Sequence, residues 1–78
     1  MEKAPIRKIT FIVAWNGRKE TFQIRDGDGY LLSQSPNHKA AIAQAIKDAM
    51  LVHNTGARVS VLSKRPNGAM SLEWHSPT

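Results

Sequence analysis

The sequence predicts an α+β fold, an antiparallel sheet of four to five strands with one helix packed on one face, in the order β-β-(β)-α-β-β. Three observations carry this reading. Two β-rich runs flank Asn16-Gly17 in "KITFIVAWNGRKETFQIR"; one alanine-rich stretch, "NHKAAIAQAIKDAMLVHN", contains neither glycine nor proline; and two further short runs flank "KRPNG". Strands gathered on either side of a single helix point to a sheet covered on one side, not to repeating parallel units.

The first hairpin is read from its turn. Asn-Gly favours a type I′ connection, because both central positions need positive φ. A two-residue loop would pair Trp15 with Arg18, Val13 with Glu20, Phe11 with Phe22 and Ile9 with Ile24, gathering the large apolar side chains on one face. The other face would carry Lys8, Thr10, Ile12, Thr21, Gln23 and Arg25. "DGDG" (26–29) then makes a second turn, and "YLLS" (30–33) a short, optional third strand. Ser35 suits a helix N-cap and Pro36 the first helical position, while Gly56 supplies the stop. Ile42, Ala45, Ile46, Ala49, Met50 and His53 recur at helical spacing as the buried face; Leu51 falls opposite, out of place. In the last hairpin Met70, Leu72 and Trp74 alternate as if on one face. Pro66-Asn67-Gly68 fits a type I turn followed by a left-handed glycine. The choice of turn leaves open whether Val59 and Val61 or Leu62 oppose Trp74.

A chain of 78 residues makes one domain, here 8–75, with an N-terminal arm (1–7) and a C-terminal tail (76–78). At this size a core is often supplemented by disulfides, a metal or a second subunit. Cysteine is absent, which removes disulfides and thiolate sites and leaves a homodimer as the simplest supplement. The N-terminus lacks a signal-peptide pattern and no apolar run approaches a membrane span, so the expectation is a soluble cytoplasmic protein with no membrane partner.

The net charge is +5, and it is uneven: residues 1–25 carry +4, residues 26–56 carry −1 and residues 57–78 carry +2. Basic ends around a near-neutral middle are compatible with nucleic-acid affinity. They argue against helix-turn-helix recognition, since the one long helix is barely charged and no partner helix precedes it. Binding by strands and loops is the remaining route. The candidate contacts are Arg18 and Lys19 in the first hairpin, Lys64 and Arg65 in the second, and Arg25 and Arg58. Trp15, at the end of the first strand, is the best-placed base stacker, with Tyr30 second.

Other chemistries lack their residues. "DGDGY" resembles the start of a calcium loop, but its twelfth position is Asn37, not the bidentate glutamate required. His38, His53 and His75 have no metal-ligand spacing. No serine stands in a nucleophile-elbow context, the acids are scattered, and the glycines do not follow the Walker spacing. No catalytic residue, metal or cofactor is implied, and the protein is not expected to be an enzyme.

The segment "HKAAIAQAIKDAMLVHNTGARVSVLSKRPNGAMSLEWH" resembles a pattern in small bacterial and phage proteins of unknown function: an alanine-rich helix with A-x-x-x-A spacing, a glycine stop, then a hairpin around Asn-Gly or Asp-Gly. Some phage anti-CRISPR proteins are similar in size and strand–helix–strand order, and act by occupying a surface on a CRISPR nucleoprotein complex. The resemblance carries over no functional residue, and the basic charge here departs from the acidic inhibitors that mimic DNA. The leading expectation is therefore a basic, non-catalytic module that contacts nucleic acid or a nucleoprotein through strands and hairpin loops. The alternative is an inhibitor or adaptor that occupies a protein partner's surface.

Overall fold

A computed structural model describes residues 6–77; residues 1–5 of the expected arm, and Thr78 of the expected tail, lie outside the described residues. The elements are β1 (Lys8–Asn16), β2 (Thr21–Asp26), β3 (Leu31–Ser35), α1 (His38–His53), β4 (Arg58–Lys64) and β5 (Met70–His75). They form one α+β unit, a five-stranded sheet in the order β3-β2-β1-β4-β5 with α1 against one face.

The sheet is mixed, which corrects the antiparallel expectation. β1 and β4 run parallel, with Lys8 opposite Arg58 and Val13 opposite Ser63. The third strand decides this. Two hairpins return β3 to the direction of β1, and a single helix crossing then starts β4 in that direction again. With "YLLS" as a loop, β4 would have run antiparallel to β1. With it as a strand, β4 starts in the direction of β1 and pairs with it in parallel.

The first hairpin closes through four residues, not two: Asn16 pairs with Thr21, Trp15 with Phe22, Val13 with Ile24 and Phe11 with Asp26. Asn16 stays in the strand, and its Oδ1 accepts from the Arg18 and Lys19 N–H groups at 3.0 and 3.2 Å, an Asx arrangement that turns the chain without the type I′ dihedrals. The left-handed residue is Glu20, at φ 49°. Phe11 thus faces Asp26 where Phe22 was expected. That partner shift is an even number of residues, so the apolar set keeps its face.

The other two turns are built alike. Gly29 N–H donates to Asp26 O and Asp26 N–H to Tyr30 O; Gly68 N–H donates to Arg65 O and Arg65 N–H to Ala69 O. Each is a type I turn closed by a glycine at positive φ, 92° and 88°, the arrangement that Pro66-Asn67-Gly68 had indicated. Both flanking hairpins carry a bulge. In β5 the extra residue is Glu73: Trp74 pairs with Val61 while Leu72 pairs with Leu62. Met70 and Leu72 therefore share the open face, and Trp74 alone turns to the helix side. Strict alternation cannot reveal an inserted residue.

The helix begins at His38, with Asn37 as N-cap (φ −115°, ψ 129°) accepting from Ala40 N–H. This replaces the expected Ser35 cap and Pro36 start, because β3 continues through Ser35. Gly56, at φ 99°, ends the helical path as expected. The buried stripe is Ala41, Ala45 and Ala49, packed on Phe11, Val13, Ile24, Val59 and Val61; Ile42 and Ile46 flank it half-buried. Met50, expected inside, is exposed along with Leu51. Small side chains at the centre let the backbone approach the sheet, and the branched residues fill the margins. Beyond β5, Ser76 is buried, its N–H donating to Val59 O and its Oγ accepting from Val59 N–H.

Among the described residues, no second layer covers the opposite sheet face. The strand pairings assign to it Lys8, Thr10, Ile12 and Ala14 of β1, Gln23 and Arg25 of β2, Arg58, Ser60, Leu62 and Lys64 of β4, and Met70, Leu72 and His75 of β5.

Candidate nucleic-acid interface

Parallel pairing of β1 and β4 has a direct consequence for charge. Both strands end at the same edge of the sheet, so the loops that follow them, 17–20 and 65–69, project from one end. Arg18, Lys19, Lys64 and Arg65 are thereby gathered from two distant parts of the chain. β3 also finishes at this end, which places the start of α1 there.

Between the helix start and the second hairpin lies a cleft of about 650 Å³, lined by Ala14, Trp15, Phe22, His38, Ser63, Lys64, Arg65 and Pro66. Its wall is a row of rings. Trp15 meets Phe22 edge-on with centroids 4.9 Å apart, and Phe22 meets His38 at 4.9 Å. His38 Nε2 and Ser63 Oγ are 3.2 Å apart, and Ser63 is buried. Arg65 Nε donates to Ser71 Oγ at 3.0 Å, which orients the guanidinium. Trp15 remains 52% exposed despite these contacts, so ring area is still available for stacking.

A second opening, of about 410 Å³, lies on the uncovered sheet face and shares Ala14, Trp15 and Lys64 with the first. Arg25 lines it and is held in place, with Nη1 donating to Gly29 O at 2.8 Å and Nη2 to Gln23 Oε1 at 3.0 Å.

Of the residues singled out in the sequence, Trp15, Lys64 and Arg65 therefore share one cleft. Arg18 and Lys19 sit at the same end in the neighbouring loop. Arg25 joins through the second opening. Arg58 stands apart: it faces Lys8 at the other end of β4, six residues or roughly 20 Å from Lys64. Tyr30 is in the β2–β3 turn, away from the cleft. The cleft also contains Phe22, which the sequence placed with the apolar face, and His38 and Ser63, to which it gave no binding role. The His38–Ser63 pair spans 25 residues of chain, and no local pattern announces it.

Among the described residues, no group of three or more His, Asp or Glu side chains is arranged to hold a metal ion, and no helix is long and apolar enough to cross a membrane. No protein-family model, curated protein or solved structure matches this chain.

Proposed function

We propose that this protein is a small, non-catalytic binding module for single-stranded nucleic acid, free or within a nucleoprotein. The observation that carries the reading is one half-exposed indole, Trp15, in a cleft whose rim supplies Lys64 and Arg65. Stacking on an aromatic face is tolerant of sequence, and adjacent cations neutralise the phosphates that join stacked bases. A duplex buries its base faces and offers nothing for Trp15 to stack on, so single strands are the preferred form.

The test is a titration with fluorescein-labelled ten-nucleotide single strands and the matching duplex at several salt concentrations. Single strands are expected to bind more tightly and to quench tryptophan emission. The double substitution Lys64→Glu, Arg65→Glu is expected to weaken binding roughly tenfold or more across all sequences. Loss of two phosphate contacts should also make the slope of log K against log salt shallower by about 1.4. Unchanged affinity in a folded double variant would overturn the reading.

A second reading has its own observation. Met70 and Leu72 are 48% and 57% exposed on edge strand β5, which favours an inhibitor or adaptor of the anti-CRISPR type that uses this edge against a protein partner. Leu72→Glu separates the two: it should leave oligonucleotide affinity within about twofold and abolish capture of such a partner.

A further inference from the structure

We infer that the second opening is a base-reading subsite, built to accept the acceptor-rich edge of a guanine next to the base stacked on Trp15; this rests on the single-strand reading above. The inference starts from Gln23, which is only 7% exposed although it lies on the uncovered face. Its Oε1 accepts from Asn16 Nδ2 at 3.1 Å and from Arg25 Nη2 at 3.0 Å. Two donors converging on one atom fix which way the amide points. Nε2 has no hydrogen bond among the described residues, yet no buried side-chain nitrogen or oxygen among them lacks a partner. The Nε2 group is therefore not fully enclosed, and Gln23 lines the second opening.

The acceptors around it are occupied in the same way. Asn16 Oδ1 takes the Arg18 and Lys19 N–H groups, and Asp26 Oδ1 takes those of Asp28 and Tyr30. Gly29 O takes Arg25 Nη1. What remains to face a ligand is three donor groups, Gln23 Nε2, the further N–H groups of Arg25, and Lys64, against one side-chain oxygen, Asp26 Oδ2, since both N–H groups that Asp26 accepts go to Oδ1. A site rich in donors favours an edge with two adjacent acceptors and disfavours one that presents an amine. Guanine offers N7 and O6 together, whereas adenine sets its N6 amine beside N7. Trp15 and Lys64 line both openings, so the two subsites meet at these two residues, around the end of the sheet.

The test compares ten-nucleotide thymine strands with one central guanine or one central adenine, as DNA and as the uracil-containing RNA equivalent. Guanine is expected to bind roughly 5- to 150-fold more tightly than adenine in either backbone. Gln23→Glu can keep both accepted hydrogen bonds while replacing the donor with a charged acceptor, so it should bring the guanine-to-adenine ratio to within about twofold or below one. Thr21→Glu, which adds the same charge two residues earlier on β2, should lower both affinities and preserve the ratio. A wild-type ratio within twofold, or a ratio that Gln23→Glu leaves unchanged, overturns the subsite while leaving single-strand binding standing. Absence of binding by every strand overturns the underlying reading and the subsite with it.

Discussion

Glu20 is the one non-glycine residue among the described residues with positive φ, at 49°. A side chain there costs about 1–2 kcal/mol relative to an unstrained residue, and nothing in Asn-Gly announces it, because the asparagine acts through its side chain. Glu20→Gly removes that strain but adds freedom to the unfolded chain, so a net gain of up to about 1 kcal/mol is expected. Gly29 and Gly68 give the converse. A Cβ built on either meets nothing within 4 Å, so Gly68→Ala carries a conformational cost alone, expected at about 1 kcal/mol. Urea denaturation checks both, as a midpoint moving up for Glu20→Gly and down for Gly68→Ala at constant m. A Gly68→Ala midpoint equal to the wild type would mean that the turn has another shape.

At the scale of elements, the helix makes the sharpest prediction. If Ala45 lies at the closest approach to the sheet, Ala45→Leu should overpack the contact and destabilise by about 1–3 kcal/mol. Met50→Ala, at an exposed site, should stay within about 0.5 kcal/mol. The orientation read from helical periodicity, with Met50 inside and the isoleucines central, predicts a substantial loss for Met50→Ala instead, and thermal or urea unfolding of the pair distinguishes them. Periodicity located the helix and its stop because alanine runs and Gly56 are local signals. It placed Ala45 and Ala49 in the buried stripe but took in Met50 and missed Ala41, because it weighted large side chains whereas the close approach selects small ones. The two β4–β5 registers left open by the sequence both occur, one on each side of Glu73, and alternation alone cannot report a bulge. The site divides the same way. Trp15, Lys64 and Arg65 are legible because each adjoins a turn, whereas Gln23, His38 and Ser63 acquire meaning only from partners elsewhere in the chain.

Over the whole molecule, strand order turns an uneven charge into a cationic layer. The basic N-terminal and C-terminal thirds supply β1 and β4, which become neighbours at the middle of the sheet. The near-neutral middle supplies the helix that covers the other side. Lys8 and Arg58 are left directly opposite one another, a like-charge pairing that is unfavourable and lies at the far end of β4 from the cleft. Under the proposed function, binding should appear as stability, because a ligand that binds only the folded state stabilises it by mass action. A single-stranded oligonucleotide at a hundred times its Kd contributes about 2.7 kcal/mol to the folded state, which for a domain of this size raises Tm by roughly 10–20 °C. If Lys64→Glu, Arg65→Glu weakens binding about a hundredfold, the same concentration contributes only about 0.4 kcal/mol and moves Tm by about 2–3 °C. Raising the salt should diminish the wild-type shift, because the counterions released on binding then return at higher activity. A thermal scan with and without oligonucleotide, at two salt concentrations, reads all of this without a label. A Tm that ignores the oligonucleotide at both salts would separate the cationic layer from nucleic acid and turn attention to the exposed edge at Met70 and Leu72.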